Sequence, residues 1–341
     1  MHSLLAEPVG REKKPGFYNV PAGIVLRLQE ICQGRIIAAE TAFGGFSASA
    51  SFVISLFDGK KFFVKGTHPQ DTSHGAENLR QEIMAYETIQ SLGDIAPGYL
   101  GVVSDGKGDD GWMLGVWEFV RHEPGLVSLD AIVSALKKWP EKDIEGTALV
   151  SSASHVFIGR FFDGEKKWER IKSNEDVRKS FLSLFADPKA GAWLEQNISA
   201  LCLLQKEGMN LGQPECIVHG DLRLDNMLFT SSGPYVIDWP NITLGPRVFD
   251  LAFLYSSVEA FGLCPFDEAL KAYNGNVSQE DMSAMLACLS GYFAEQAYRA
   301  VPPIMPRLRW MQRSMLLAQL NQLARLGIIE SPPQMHGEMQ P

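Results

Sequence analysis

The sequence predicts an α+β fold, in which an N-terminal antiparallel sheet with one helix precedes a larger, mainly helical part. Residues 42–120 follow a pattern of two strands, a helix and two more strands, whereas residues 126–212 and 248–329 are mostly helical in period. The chain has 341 residues, which is long for a single core. We therefore expect two lobes.

The N-terminal elements follow from local patterns. Residues 51–57 and 60–66 are rich in β-forming side chains, and the Asp58-Gly59 pair between them predicts a hairpin. Apolar residues at helical spacing predict a helix at 76–93. The same kinds of pattern predict a helix at 22–32 and strands at 98–103 and 112–120.

The C-terminal part shows its clearest helix at 308–328, where leucines recur on one face. Residues 163–179 carry charges of both signs, which predicts a solvent-exposed helix or connector. Both ends of the chain contain Gly, Pro and polar residues. We expect a loose lead-in over residues 1–20 and a frayed tail over residues 331–341.

The composition favours a folded, soluble protein. Apolar residues make up 45% of the chain, enough for a large core. The formal net charge of −9 argues against nucleic acid as the main partner, because a phosphate backbone selects a basic surface. The five cysteines form no CxxC pair, which favours free thiols in a reducing compartment.

The sequence also shows no signal for secretion or for insertion into a membrane. There is no apolar stretch typical of a secretory signal and none near the roughly 18 residues of a membrane span. We predict a cytoplasmic protein without membrane contact. The sequence carries no signal for an oligomeric state.

Residues 217–229, IVHGDLRLDNMLF, concentrate polar groups between apolar runs. Such groups are costly to bury without partners, so they either face solvent in an ordinary loop or bind a ligand. Asp221 and Asn226 stand five positions apart, the interval of a kinase catalytic loop, and Asp238 ends the apolar YVID segment. Phosphoryl transfer needs a carboxylate to orient the acceptor hydroxyl and oxygen ligands for Mg²⁺, and these residue types supply both.

Together with the N-terminal elements, the HGDLRLDN…VIDW pattern resembles the aminoglycoside phosphotransferase and choline kinase group, which has a two-lobe, protein-kinase-like fold. The resemblance covers residues 25 to 330. It implies a nucleotide-binding lobe over residues 21–121 and a catalytic and substrate lobe over residues 122–330.

The resemblance also implies roles for individual residues. Asp221 is the expected catalytic base, and Asn226 and Asp238 are the expected Mg²⁺ ligands. Arg223 is expected to approach the transferring phosphate, with an ordinary solvent-facing loop arginine as the alternative.

Three further polar residues are expected to be structural. His219 is expected to brace the loop by hydrogen bonds, and Asp225 to be a turn residue. Asp250, in the segment GPRVFDLAF, matches a family aspartate that begins a helix and hydrogen-bonds the catalytic loop. We expect it to be an N-cap.

Lys65 ends the FFVK segment, in the position of the lysine that steadies the nucleotide phosphates in kinases. Its expected partner is Glu82, which lies within the apolar stripe of the predicted 76–93 helix and needs a counter-charge there. Glu87, nearer the edge of the stripe, is the second choice.

The GGFSASAS turn is the candidate phosphate-covering loop. Gly44 and Gly45 permit a tight turn, and Ser47 or Ser49 could meet a phosphate. The turn departs from the G-x-G-x-x-G spacing, so an ordinary hairpin turn remains the alternative.

The VWEFV segment leads into the connector between the lobes, where the backbone of Glu118 to Val120 is expected to meet the adenine edge. The expected cofactors are ATP or GTP, between which the sequence does not choose, and Mg²⁺.

The acceptor is expected to be a hydroxyl of a small molecule, such as an aminoglycoside, a choline-like alcohol or a sugar. Gly220 replaces the Arg of H-R-D, and Asp250 follows Asp238 by only twelve residues, which leaves no room for a peptide-docking activation loop. Candidates for lining the acceptor cleft are Trp239, Tyr255, Glu259 and Trp310.

Two other functions stay open at this point. One is a catalytically weak pseudokinase that binds nucleotide as a regulator, although Lys65, Asp221, Asn226 and Asp238 are all retained. The other is an ATP hydrolase without an acceptor. An acyl-transfer enzyme ranks last, since the chain has no G-x-S-x-G motif.

Overall fold

The computed structural model describes residues 3–69, 75–88, 95–139, 166–211, 216–273 and 277–337. Within these ranges a five-stranded sheet forms the N-terminal lobe, and the C-terminal lobe is mainly helical. The predicted α+β class, with its N-terminal antiparallel sheet and larger helical part, is confirmed.

The N-terminal sheet is antiparallel throughout, with strand order β1-β2-β3-β5-β4. The turn between β2 and β3 contains the predicted Asp58-Gly59 pair, and the φ of Gly59 is +87°. The sequence pattern missed β1, because this edge strand is largely exposed and lacks a clean alternation of apolar residues. The strands are β1 (Ile36–Thr41), β2 (Ala50–Leu56), β3 (Lys61–Thr67), β4 (Tyr99–Ser104) and β5 (Met113–Glu118).

Two helices pack on this sheet. Helix α1 (Ala22–Ile31) buries Ile24 and Leu28 in a cluster that contains β-strand side chains such as Phe52. Helix α2 (Gly75–Thr88) buries Leu79 and Ile83 against Trp117 in a separate cluster. The predicted end of α2, residues 89–93, lies outside the described residues. The sheet is therefore covered by one helix on each side.

The C-terminal lobe is organised around two buried helices. Helix α7 (Arg247–Ala260) is buried at nearly every position, and helix α9 (Gln279–Ala297), buried along most of its length, packs against both α6 and α10. None of the helices in the described ranges has the length and apolarity needed to traverse a bilayer. The helices of this lobe are α3 (Leu129–Lys137), α4 (Lys167–Ser173), α5 (Glu175–Leu182), α6 (Ala190–Gly208), α7 (Arg247–Ala260), α8 (Phe266–Tyr273), α9 (Gln279–Ala297) and α10 (Leu308–Arg325).

Two short antiparallel strand pairs carry the polar segments that lie between the helices. Strand β6 (Cys216–Val218) pairs with β9 (Thr243–Gly245), and β7 (Met227–Thr230) pairs with β8 (Gly233–Val236). The HGDLRLDN segment connects β6 to β7, and Asp238 lies in the connection from β8 to β9. Both polar segments are thus held at the same edge of the lobe.

The two ends of the chain are more ordered than the sequence suggests. The Trp310 indole N–H donates to the Leu5 carbonyl at 3.0 Å, and the buried Met335 pairs with Phe185. Parts of both ends therefore pack on the helical lobe, while the bounds of a loose lead-in and a frayed tail stay predictions. Single apolar anchors such as Leu5 produce no periodic pattern, which explains why these contacts were not predicted.

Candidate active site

The loop that carries Asp221 is fixed by a helix behind it. The Asp250 carboxylate accepts hydrogen bonds from the backbone N–H groups of His219 at 2.7 Å and Gly220 at 3.1 Å. Burial raises the pKa of Asp250 to about 7, although the two N–H donors act in the opposite direction. Asp250 lies inside the first turn of α7, and Pro246 occupies the N-cap, so the expected N-cap role is wrong while the bracing of the loop is present.

His219 ties this loop to the segment before Asp238. Its Nε2–H donates to the Ile237 carbonyl at 3.0 Å, and its Nδ1 accepts from the Asp221 backbone N–H at 3.2 Å. The ring is fully buried, 4.6 Å from the Trp239 ring, and burial lowers its pKa to about 4. His219 is therefore neutral at physiological pH and braces the loop, as predicted.

Arg223 is buried between two carboxylates of its own loop. Its Nη1 lies 2.5 and 2.6 Å from the two Asp221 oxygens, and its Nε and Nη2 lie 2.9 and 3.1 Å from those of Asp225. Only 7% of Arg223 is exposed, so the solvent-facing alternative is wrong. Burial raises the pKa of Asp221 to about 7, while Arg223 pulls it down. Asp225 is thus a partner of Arg223 rather than a simple turn residue.

Asn226 and Asp238 are brought together by backbone contacts. The Asn226 side-chain amide donates to the Asp221 carbonyl at 2.9 Å, and the Ile237 backbone N–H donates to the Asn226 carbonyl at 2.9 Å. Asp238 has a φ of +71°, a left-handed conformation that is uncommon outside glycine and clusters at functional sites. Both side chains line the same cavity.

Lys65 connects the N-terminal lobe to this cluster. Its ammonium donates to Glu82 at 2.9 Å and also contacts Asp238. The second Glu82 oxygen accepts from the Trp239 backbone N–H at 3.2 Å. Burial lowers the pKa of Lys65, but the two carboxylates outweigh it and the net shift is upward. The predicted partner Glu82, not Glu87, makes the contact.

The glycine-rich turn, the GGFSASAS segment at residues 44–51, covers the cavity on the side of the N-terminal lobe. Gly44 has a φ of +121°, and the space around both Gly44 and Gly45 is open. The Ser47 hydroxyl donates to the Ser49 hydroxyl at 2.8 Å. Phe46, at the tip of the turn, lies with its ring 5.5 Å from the Arg223 guanidinium. The turn therefore reaches the loop of the other lobe that carries Asp221 and Arg223.

These groups enclose a cavity of about 550 Å³ between the lobes. The structure places every predicted catalytic, metal and nucleotide residue on its wall. The predicted residues are Gly44, Gly45, Ser47, Ser49, Lys65, Glu82, Glu118, Val120, Asp221, Arg223, Asn226 and Asp238.

The residues predicted to line the acceptor cleft do not reach it. Trp239 is fully buried and stacks on Trp139, and Tyr255 is fully buried in the helical core. Glu259 accepts from the Phe266 backbone and contacts Arg325, while Trp310 packs on Phe261. The wall is formed instead by residues that the sequence analysis missed, which are Phe46, Asn241, Phe253, Tyr292, Phe293, Leu308, Met311 and Gln312.

Most of the missed wall residues lie on α7, α9 and α10. An apolar side chain in a mainly apolar helix carries no sequence signal that separates a cavity wall from a core, so the pattern alone could not find them. Lys14, from the lead-in, also lines the cavity and was missed for the same lack of a motif.

Comparisons with known proteins identify the family of the chain. A family model described as the phosphotransferase enzyme family matches residues 41–288. No curated protein matches the chain.

Solved structures share its fold. The spectinomycin phosphotransferase APH(9)-Ia, in complex with ADP and spectinomycin, has a TM-score of 0.56 at 15% identity, over 88% of this chain and 95% of that one. A thermostable mutant of aminoglycoside phosphotransferase APH(4)-Ia has a TM-score of 0.54 at 14% identity, over 89% and 99%. The same enzyme in a ternary complex with ADP and hygromycin B has a TM-score of 0.52 at 12% identity, over 87% and 98%.

Proposed function

The chain belongs to the phosphotransferase enzyme family, and from this premise we propose that it transfers the γ-phosphoryl group of ATP or GTP to a hydroxyl of a small molecule, with Mg²⁺. One observation carries the proposal. Side chains suited to bind the nucleotide phosphates, to bind a metal ion and to accept a proton all lie on the wall of a single cavity between the lobes. Phosphoryl transfer depends mostly on such positioning and charge stabilisation.

The nucleotide is assigned to the N-terminal side of the cavity. Lys65, held by Glu82, is suited to the phosphates, and the open glycine-rich turn leaves room above them. The connector at Glu118 to Val120 is suited to the adenine edge. The Glu118 backbone N–H already donates to Gly98 at 2.8 Å, so this donor would not contact the base. ADP complexes of the two structural neighbours support a nucleotide here.

Asn226 and Asp238 would hold the metal. They offer one amide and one carboxylate oxygen, which fits Mg²⁺, an ion usually bound by few protein ligands together with substrate phosphates. Among the residues that the structure describes, no group of three or more His, Cys, Asp or Glu side chains forms a dedicated metal cage. When bound, Mg²⁺ neutralises charge on the phosphates.

Asp221 is assigned as the base. The acceptor hydroxyl proton moves to the Asp221 carboxylate as the acceptor oxygen bonds to the γ-phosphorus and the bond to the β-phosphate oxygen breaks. A carboxylate with a pKa near 7 is suited to take up a proton at neutral pH. Arg223, through its bonds to both Asp221 oxygens, orients this group.

The acceptor end of the cavity is mainly apolar. Its wall includes Phe253, Tyr292, Phe293 and Met311, with Gln312 as a polar group. The cavity carboxylates lie elsewhere: Glu82 and Asp238 contact Lys65, Asp221 and Asp225 contact Arg223, and Glu118 lies at the connector. A polycation would need several free carboxylates, so we assign a hydroxyl compound with a substantial apolar part.

A screen of nucleoside diphosphate release, ADP from ATP or GDP from GTP, tests this function. Purified chain would be assayed with MgATP and MgGTP against spectinomycin, hygromycin B, choline, sugars and macrolide or aromatic alcohols, with Asp221→Asn as the catalytic control. We expect turnover with an apolar hydroxyl compound, and we expect Asp221→Asn to lower that turnover by roughly 10² to 10⁴. Turnover unchanged in Asp221→Asn would contradict the assignment of the base. MgATP binding without transfer to any acceptor would favour the non-catalytic regulator.

A further inference from the structure

The N-terminal segment, residues 3–15, runs across both lobes. On the C-terminal lobe, the Leu4 N–H donates to the Ala260 carbonyl at 3.2 Å and the Lys13 N–H donates to the Ile304 carbonyl at 2.9 Å. Together with the bond from Trp310 to Leu5, these contacts attach the segment to the helical lobe. It is therefore in a position to hold side chains over the cleft between the lobes.

Two side chains of this segment hold the glycine-rich turn. The Glu12 carboxylate accepts from the Gly44 backbone N–H at 2.6 Å. The Lys14 ammonium donates to the Ser51 hydroxyl at 2.7 Å, and that hydroxyl donates to the Ala42 carbonyl at 2.9 Å. The two contacts lie at opposite ends of the turn. The segment thus fixes the turn that covers the cavity.

Lys14 is also close to the reacting groups. Its side chain is only 7% exposed and lies on the wall of the cavity that contains Lys65 and Asp238. Burial lowers its pKa, Glu12 raises it, and Lys65 and Asp238 act on it with opposite signs. The ammonium therefore lies within electrostatic reach of the site proposed for the phosphates.

The charges around Lys14 leave it able to bind a further anion. Its ion pair with Glu12 is long, at 3.7 Å, and the Glu12 carboxylate is already used by Gly44. An ammonium has three N–H donors, and the Ser51 hydroxyl takes one of them. Lys65 is committed to two carboxylates, so a triphosphate in this cavity would benefit from a second cation.

We propose that Lys14 is a second phosphate-binding cation of the nucleotide site, delivered by the N-terminal segment, and that Glu12 positions the glycine-rich turn over the triphosphate. The inference rests on the proposed function, because it requires a nucleotide in the cavity. No sequence motif indicates these roles, because Glu12 and Lys14 lie outside residues 41–288, the part of the chain that matches the family model.

The test compares the binding of MgATP with that of adenosine, the nucleoside that lacks the phosphates. Binding of MgATP and of adenosine to the full chain would be measured by calorimetry for the unmodified protein, Lys14→Met and Lys13→Met. Lys13 is the matched control, an exposed neighbour of the same charge. We expect Lys14→Met to weaken MgATP binding by about tenfold or more, the scale of one charge-assisted hydrogen bond, with adenosine binding unchanged. Lys13→Met should match the unmodified protein.

A second variant separates phosphate binding from simple neutralisation of Glu12. If Lys14 only neutralised that buried carboxylate, the double variant Glu12→Gln/Lys14→Met would recover MgATP affinity; we expect it to stay weak. Recovery, or an equal loss of adenosine and MgATP binding, would overturn the inference. Lys14→Gln replaces Lys14→Met in these measurements if the latter does not fold. Failure of the unmodified chain to bind MgATP would overturn the proposed function as well, whereas unchanged MgATP binding by the Lys14 variant would overturn this inference alone.

Discussion

The Asp250 carboxylate accepts a hydrogen bond from the backbone N–H of His219 at 2.7 Å and so fixes the start of the loop that carries Asp221 to helix α7. The same carboxylate accepts the Gly220 N–H, and Gly220 has a φ of +82°, so the chain turns sharply just before Asp221. A residue that touches no reacting atom therefore determines where the proposed base lies.

Asp250→Asn should lower both stability and turnover. The amide replaces one acceptor oxygen by an N–H₂ group, which leaves a buried backbone N–H without a partner. We expect a loss of about 1–3 kcal/mol in the free energy of unfolding, measured in urea, and a fall in turnover. The matched control is Asp130→Asn, in the exposed first turn of α3, which should change the free energy of unfolding by less than about 0.5 kcal/mol. Equal losses in both variants would contradict the bracing role.

Asp221→Asn should separate catalysis from nucleotide binding. The amide keeps the size of the side chain but cannot take up the acceptor proton. We expect turnover to fall by roughly 10² to 10⁴, the range typical of a general base. The dissociation constant for MgATP, measured in the same preparation, should change little, because the proposed partner of Asp221 is the acceptor hydroxyl rather than the nucleotide. Parallel loss of nucleotide binding would show that Asp221 supports the nucleotide site instead.

Lys65→Met should weaken both MgATP binding and turnover. The change removes the proposed phosphate ligand and leaves Glu82 and Asp238 close together without their shared counter-charge. We expect at least about a tenfold weaker MgATP complex, on the scale of a charge-assisted hydrogen bond. Lys60→Met removes an exposed lysine of the neighbouring turn and should leave binding unchanged. Retained MgATP affinity in Lys65→Met would remove the residue from the nucleotide site.

Gly208→Ala tests the packing of the helical lobe that carries the acceptor wall. A methyl group at Gly208 would meet the Ala284 carbonyl oxygen at 2.5 Å and the Cys288 sulfur at 2.6 Å, so α6 and α9 would have to separate. We expect a loss of about 1–3 kcal/mol in the free energy of unfolding. Gly191→Ala, in the same helix but with open space around the site, should cause no loss. Equal stabilities would show that the two helices do not approach so closely.

Many residues on the wall of the candidate site could be predicted because they carry local signals. A charged Glu82 within an apolar helical stripe requires a counter-charge, and Lys65 supplies it across the sheet surface. The spacing of Asp221, Asn226 and Asp238 reflects one loop and one strand end, so a short stretch of sequence contains the whole arrangement.

The remaining features depend on tertiary contacts that produce no periodic pattern in the amino-acid sequence. The family resemblance predicts Asp250 at the N-cap, but Pro246 takes that position. Glu12 and Lys14 acquire their roles only because a non-periodic segment crosses the cleft. Tyr292 and Met311 belong to largely buried helices, and only the packing of these helices decides which side chains face the cavity.

The most direct test of the account is a crystal structure of the full chain with Mg²⁺ and a non-hydrolysable ATP analogue. The account predicts Asn226 and Asp238 oxygens on the metal, the Lys65 ammonium on the phosphates and the γ-phosphate directed toward Asp221. A triphosphate bound outside this cavity, or a metal held without Asn226 and Asp238, would contradict it.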